Sequence, residues 1–517
     1  LVQKSKFGRL KMEINYFDLS GGINLNSTKT ELGINNGKLF WADAQNIEIY
    51  SNRGLIRQKG NSLFLELPIK DEISGMCEME SQDSYKLVIT TVSGKIYIYR
   101  DYDKKLTLLD KTLKGRSVKF KCFLNGILVA TETDSMFYIK DDSNYTIEDC
   151  NLLDLSGNTI FPECIEIYQG RVWCADKSTI YYSALGTYND FQTENDAGYI
   201  NNFHTDTDDI AAMHNYKGNL SIYKKNKVYL LTGSSPDDFS IVPFADKGTN
   251  AANTVVNVDN KQYFLSNGIY ALEQVGELNQ IRLGSSISNN ITPEFENFDS
   301  KRLKNTLTVH YQKKHQMWFL FPYENQKYFK TIWINDYVNK IWYKRVLPQN
   351  ITYLCEFNGD LLSADSDGKI YKEDTGTSFD GQVIDFYWKS PFLSLNNVHH
   401  RKIIDEFYFV LDDEHDNKFK FSVYKDYDGN CPEDKELIYS RNLNQLIWAK
   451  DDEDDSNISK WCSDDENTPV WTINSDVLEK AEICGSCYSV QLCVEGTEKD
   501  DNCAIIGLQF REIYNDD

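Results

Sequence analysis

The chain has 517 residues with 78 acidic and 55 basic side chains, a formal charge of −23 and an apolar fraction of 41%. This leaves enough apolar surface for globular cores, and it excludes both a disordered chain and a broad coat for nucleic acid, whose affinity rests on Lys and Arg displacing counterions. No run of about 18 apolar residues occurs, so a spanning helix is excluded, and the start LVQKSKFGRLK lacks the apolar core of a signal peptide; the chain reads as made in the cytoplasm.

Tyr (32), Phe (27) and Trp (9) are abundant beside only 10 Pro and 29 Gly, which favours pleated surfaces and a mostly β chain. The length suggests two or three domains, or one repeat architecture with an appendage. Twelve Cys are diluted over the chain and sit in apolar segments such as YLCEF and VWCAD, so reduced, buried thiols are expected.

Charge is partitioned: residues 1–70 carry +4, residues 71–400 carry −10 and the last 117 residues carry −17. Such asymmetry marks separate domains. Residues 1–11 read as an upstream extension ahead of Met12. Residues 1–70 then read as an extended assembly arm, punctuated by Gly and Asn, suited to adding strands to a neighbour's sheet.

From residue 71 a strand, a turn and a strand ending in an aromatic keep returning. The closing aromatics are Tyr97, Tyr138, Tyr182, Tyr229, Tyr270, Trp333 and Tyr371, at intervals of 41, 44, 47, 41, 63 and 38. A period of this size, with three or four strands per unit, predicts a β-propeller of six or seven blades over residues 71–379. A string of hairpins in ordinary sandwiches is the competing reading, and the spacing kept over seven units favours the propeller. The 63-residue interval predicts an insertion around ITPEFENFDSKRLKN, the one helix-like stretch of this region.

Residues 380–517 predict an acidic antiparallel β-sandwich. In CYSVQLCVEG, Tyr488, Val490, Leu492 and Val494 share one face, and Cys487, Ser489, Gln491 and Cys493 the other. Between the strands lies the acidic stretch of residues 451–468.

Candidate chemistry is sparse. Cys484, Cys487, Cys493 and Cys503 offer a CxxC and two more thiols, but Cys487 and Cys493 on one strand would stand about 20 Å apart, too far for one zinc ion. Asp365 and Asp367 before Gly368, and Asp426 and Asp428 before Gly429, are D-x-D-G turns that do not continue as calcium loops; solvated turns are expected, and Asp451–Asp455 reads as a solvated loop. Paired carboxylates on blade loops would suit a glycosidase propeller, and Ser363–Gly368 is similar to the Asp turn of sialidase blades, yet Asp367 replaces the expected Gly and the turn occurs once. There is no G-x-S-x-G, P-loop or HExxH, and His399 and His400 are the only adjacent His pair. No catalytic, cofactor or metal residue is assigned, and a non-enzymatic role is expected.

The opening YFDLSGGINLNSTKTELGINNGKLFWADAQNIEIYSNRGLIRQKG resembles tailed-bacteriophage tail-hub and tail-nozzle structural proteins, the packaged-DNA stabilisation or head-completion group. The matching positions are Phe17, Gly21, Gly22 and Asn24; Asp43 and Asn46; Gly54, Arg57 and Gly60. IYQGRVWCADKSTIYYSALGTYNDFQ, YKGNLSIYKKNKVYLLTG, KGTNAANTVV, FLSNGIYAL and the closing SCYSVQLCVEGTEKDDNCAIIGLQFREIY continue the resemblance. It implies a propeller with a C-terminal sandwich, assembled in the virion tail as a hexameric ring. That ring would join portal and adaptor proteins to fibres, spikes or a distal plug, with double-stranded DNA passing through unbound. The family implies no catalytic residues. The acidic stretch of residues 451–468 departs from its pattern. A carbohydrate-active propeller and a non-viral propeller scaffold are the alternatives.

Overall fold

The computed structural model describes residues 3–4, 10–27, 34–35, 37–51, 53–79, 84–154, 156–201, 203, 206–275, 280–395, 399–412, 415–428, 434–439, 477–481 and 486–516. The chain forms two compact units, residues 59–382 and residues 1–58 with 383–517.

The unit of residues 59–382 is a seven-bladed β-propeller. Five consecutive antiparallel sheets of four strands begin at Ile73–Met79, Lys119–Cys122, Cys164–Tyr168, Ile210–Tyr216 and Val256–Val258, and each runs in chain order from its inner to its outer strand. Blades 6 and 7 share the long strand Ile341–Phe357. Its first half pairs with Phe329–Asp336 to complete blade 6, and its second half pairs with Asp360–Asp365 as the inner strand of blade 7. Pro348 lies between the halves, where a residue with no N–H costs no ladder bond. The inner strands touch in succession, and that of blade 7 meets that of blade 1, which closes the ring.

The seven repeat aromatics from Tyr97 to Tyr371 all lie on the third strand of their blades. They are held between blades because each sheet must bury both faces against its neighbours. The long interval before Trp333 contains the 3-10 segments Asn289–Glu296 and Leu303–Asn305 between blades 5 and 6.

The expected arm of residues 1–70 is divided between the two units. Asn61–Glu66 is the fourth strand of blade 7, antiparallel to Lys369–Glu373, so the two ends of the propeller segment are sewn together in one sheet. Residues 1–58 fold with the C-terminal part. Leu10–Tyr16 pairs with Ala504–Asp516 in one sheet, and Asp43–Gln45 pairs with Phe386–Lys389 in the other. An extended reading missed this because short strands joined by Gly and Asn turns carry the same local signals whether they pair within the chain or outside it.

The unit of residues 1–58 and 383–517 is an antiparallel sandwich. Its first sheet is built on Ala504–Asp516 and Arg401–Leu411, its second on Asn417–Lys425 and Val490–Gly496. Phe409 of the first meets Phe419 and Phe421 of the second edge-on, with centroids 5.3 and 5.4 Å away. Val490, Leu492 and Val494 are buried as the alternation predicts, whereas Tyr488 is exposed, because the chain changes sheets there: Ser486–Cys487 pairs with Arg401–Leu411.

Candidate functional site

The propeller axis is where seven inner strands bring side chains from distant parts of the sequence together. Lys121 of blade 2, Glu166 of blade 3 and His214 of blade 4 form a row: Lys121 Nζ stands 2.7 Å from Glu166 Oε2, and His214 Nδ1 stands 3.5 Å from the same oxygen. Glu166 is nearly inaccessible. Burial pushes the His214 imidazole below its ordinary 6.5, with Glu166 opposing that shift. The carboxylate therefore faces one ammonium and a ring that stays neutral near pH 7.

The inner strands of blades 1, 2 and 7 carry three thiols. Cys77 of blade 1 and Cys122 of blade 2 both donate to the Glu78 carbonyl oxygen at 3.3 Å. Hydrogen bonding with Cys122 and burial hold the Cys77 thiol well above its ordinary range. Burial lifts Cys355 of blade 7 to about 12. Burial also raises the Glu356 carboxyl, to which Glu78 adds like-charge repulsion. Protonated thiols are poor nucleophiles and poor metal ligands.

Further round, Gln262 Oε1 accepts from Ser221 Oγ at 2.6 Å and Tyr223 OH at 2.7 Å, while Asn257 Nδ2 donates to the Asn215 carbonyl at 2.9 Å. These bonds join blades 4 and 5. Lys121, Cys122, Asn257 and Gln262 thus tie neighbouring blades and satisfy groups that burial would otherwise strand, whereas the buried His214 Nδ1 has no hydrogen-bond partner among the described residues.

A cavity of about 250 Å³ on blade 4 is lined by Asp206, Thr207, Asp208, Asn226 and Lys227. Its carboxylates are engaged: Asp206 Oδ2 accepts from Tyr229 OH at 2.7 Å, and Asp208 Oδ2 accepts from Asn226 Nδ2 at 3.2 Å. Beneath it Lys224 is wholly buried, 3.7 Å from Asp206 and over the Phe203 ring.

The candidates read from sequence do not meet. Asp365 Oδ1 accepts from the amides of Asp367 and Lys369, and Oδ2 from Tyr371 OH, so this D-x-D-G turn is closed on itself within blade 7. Asp426 Oδ1 accepts from the amides of Tyr488 and Ser489; Gly429 lies outside the described residues. Cys487 and Cys493 belong to different sheets rather than to one strand; Cys503 is buried in the sandwich, and Cys484 is outside the described residues. Among the described residues no three His, Cys, Asp or Glu side chains group as metal ligands. Asp451–Asp455, and the whole stretch of residues 451–468, lie outside the described residues. His399 and His400 are exposed ahead of Arg401–Leu411.

The N-terminal motif positions are fixed by backbone proximity. A Cβ on Gly21 would stand 2.4 Å from the Leu39 carbonyl oxygen, and one on Gly60 only 1.8 Å from that of Ser378. Gly22 accepts from the Trp41 amide at 2.7 Å, Asn24 donates to Trp41, Asn46 Nδ2 donates to the Asp385 carbonyl, Tyr387 OH donates to Asp43, and Arg57 Nη1 donates to the Asp501 carbonyl. Phe17 is half exposed. Sequence reading missed the Lys121–Glu166–His214 row; its only trace was a polar residue near the end of each inner strand, as in the paired strings MCEM and LCEF.

No family model and no curated protein matches the chain. Among solved structures, it is similar to "YCF48 bound to D1 peptide", at 12% identity and a TM-score of 0.38, over 60% of this chain and 94% of the other. It is also similar to the Pan2 WD40 domain of Neurospora crassa, at 10% identity and 0.40, over 58% and 88%. No helix among the described residues is long and apolar enough to cross a membrane.

Proposed function

We propose that this chain is a non-catalytic assembly scaffold whose rigid propeller presents its loops to protein partners. One observation carries the reading: side chains with reactive chemistry at the axis are spent on inter-blade ties, Lys121 on Glu166 and Cys122 on the Glu78 carbonyl. A nucleophile needs an adjacent base and room for substrate, and the row of Lys121, Glu166 and His214 joins blades instead. The direct test is turnover of the purified chain on a panel of glycosides and esters. Hydrolysis that disappears with Glu166→Gln would overturn the scaffold reading; a stable complex with a partner protein and no turnover supports it.

A second reading, a subunit of a bacteriophage tail hub or nozzle ring that joins the portal–adaptor ring to the distal tail, is favoured by the N-terminal motif. Gly21, Gly54 and Gly60 stand where a Cβ would strike the Leu39, Ile505 and Ser378 carbonyl oxygens. Residues that a fold requires in this way are those a structural family would share. An acidic ring also suits DNA passage, since added Lys or Arg near phosphate would trap the duplex. Electron microscopy of the purified chain tests it: closed rings support the tail reading, and a monomer that never joins a virion defeats it.

A further inference from the structure

In each blade the loops between strands one and two and between strands three and four leave on the same side, because the strands alternate in direction. In the loop between strands one and two, blades 2, 3, 4, 5 and 7 each place a non-glycine residue in the left-handed region: Leu124, Gln169, Lys217, Asp259 and Asn358, all with φ between 50 and 52°. That conformation favours Gly, Asn and Asp, and a bulky apolar residue there is strained without local compensation. Four of the five are polar. Leu124 is apolar and 59% exposed.

Leu124 has apolar company on the same face of blades 1 to 3. Tyr85 precedes the second strand of blade 1, Tyr102 tips the turn after its third strand at 85% exposure, and Leu185 follows the third strand of blade 3 at 61%. Backbone bonds hold these turns together: the Asp101 amide donates to Tyr85, that of Asp141 to Asn125 and that of Gly186 to Gly170. Exposed apolar side chains on turns held in this way are available to a partner.

Its charge is one-sided. Five of the cations here are paired, Lys86 with Asp141, Arg100 with Asp103, Lys104 with Asp101, Lys140 with Glu148, and Arg171 with Asp196, while Lys105 stands exposed at the blade 1 turn. Among the described residues, Asp142, Asp190 and Glu194 have no cationic partner. Asp142 accepts from the amides of Asn144 and Thr146, and Asp190 from those of Gln192 and Thr193, so both are held in place as anions.

We propose that the turn face of blades 1 to 3 docks a basic segment of a separate partner protein, with apolar side chains seated on Tyr102, Leu124 and Leu185. The occupant follows from charge complementarity: paired cations leave a negative field around an apolar centre, which steers a basic chain and repels an acidic one. The inference rests on the scaffold reading and names the surface and partner chemistry of that scaffold.

The test is fluorescence anisotropy of the full chain with a labelled peptide of alternating Lys and Leu, and with its Glu and Leu counterpart. The basic peptide should bind with salt-sensitive affinity and the acidic one should not. Asp142→Asn, Asp190→Asn and Glu194→Gln together, which keep the turn hydrogen bonds, should weaken binding about tenfold or more, and Leu124→Asn should weaken it with no loss of thermal stability. Glu163→Lys, on the opposite face, should leave it unchanged. Equal weakening by Glu163→Lys, or no effect of Leu124→Asn, would reduce the binding to general acidity and overturn the proposal. Self-association that the same substitutions abolish would assign the face to a second copy and overturn it too. None of these outcomes touches the scaffold reading, which turnover alone removes.

Discussion

Arg345 Nη2 donates to Glu373 Oε2 at 2.7 Å, and both side chains are almost wholly buried. Arg345 also donates to the carbonyl oxygens of Lys59 and Gly60, with its guanidinium 5.6 Å from the Trp318 ring and 4.8 Å from that of Phe379. Glu373 in turn accepts from Asn61 Nδ2 and Ser363 Oγ. Arg345 belongs to the strand shared by blades 6 and 7, and the groups it holds lead into Asn61–Glu66, the fourth strand of blade 7. This pair fastens the ring where it closes.

Breaking a buried ion pair leaves one charge desolvated and unmatched, at a cost of about 3–5 kcal/mol. Arg345→Met is therefore expected to destabilise the chain by that amount in urea unfolding, with faster amide exchange across residues 61–66 than in other blades. Adding Glu373→Gln to Arg345→Met should recover part of the loss, because the amide still accepts from Asn61 and Ser363 without a buried charge. Equal exchange in all blades would deny the pair its closing role.

The propeller was legible because its repeat is carried by positions with one physical duty: Tyr97, Tyr138, Tyr182, Tyr229, Trp333 and Tyr371 are buried on a third strand between blades, and Tyr270 is partly buried there. The closing strand was not. Nothing in the alternation of Asn61–Glu66 says that its partner is Lys369–Glu373, some 300 residues on, since register is set by the sheet that receives a strand. The axis was equally hidden. Lys121, Glu166 and His214 are 45 and 48 positions apart, so they become neighbours only when the blades stack. The separate D-x-D-G turns were legible as turns because an Asp side chain bonding its own backbone is local chemistry.

His214 gives the chain a pH signature. Its folded-state pKa lies below the unfolded 6.5, so below that value the unfolded chain binds the extra proton and stability falls with pH. Glu356, whose folded pKa is raised above 4.5, acts in the opposite direction, and His310 is lowered as His214 is, so the contribution of His214 must be read as a difference. Urea midpoints measured from pH 8 to pH 5 should show the wild-type chain losing stability relative to His214→Gln as pH drops through 6.5. Parallel curves would mean that His214 has the same affinity for protons folded and unfolded.

Asp365 tests the reading of its turn as closed on itself. Asp365→Ala strands two amides and the Tyr371 hydroxyl, which should cost about 1–3 kcal/mol and lower the melting temperature. Calcium or a chelator should leave the wild-type melting temperature where it was. A rise on adding calcium would show that the carboxylate has a lone pair to spare for a cation.

The thiols supply an ordering that simple exposure does not. Reaction with iodoacetamide requires the thiolate, whose fraction at pH 8 falls about tenfold for each unit the pKa rises above the ordinary 9.0. Burial sets Cys487 at about 11 and Cys355 at about 12. Relative to the urea-unfolded chain, native Cys487 should thus be slowed about a hundredfold and Cys355 about a thousandfold, though Cys487 is the less accessible of the two by surface. Mass spectrometry of the alkylated peptides gives both rates at once. If Cys355 reacts faster than Cys487 in the folded chain, access and not thiolate fraction governs these thiols, and the axis is wetter than its hydrogen bonding implies.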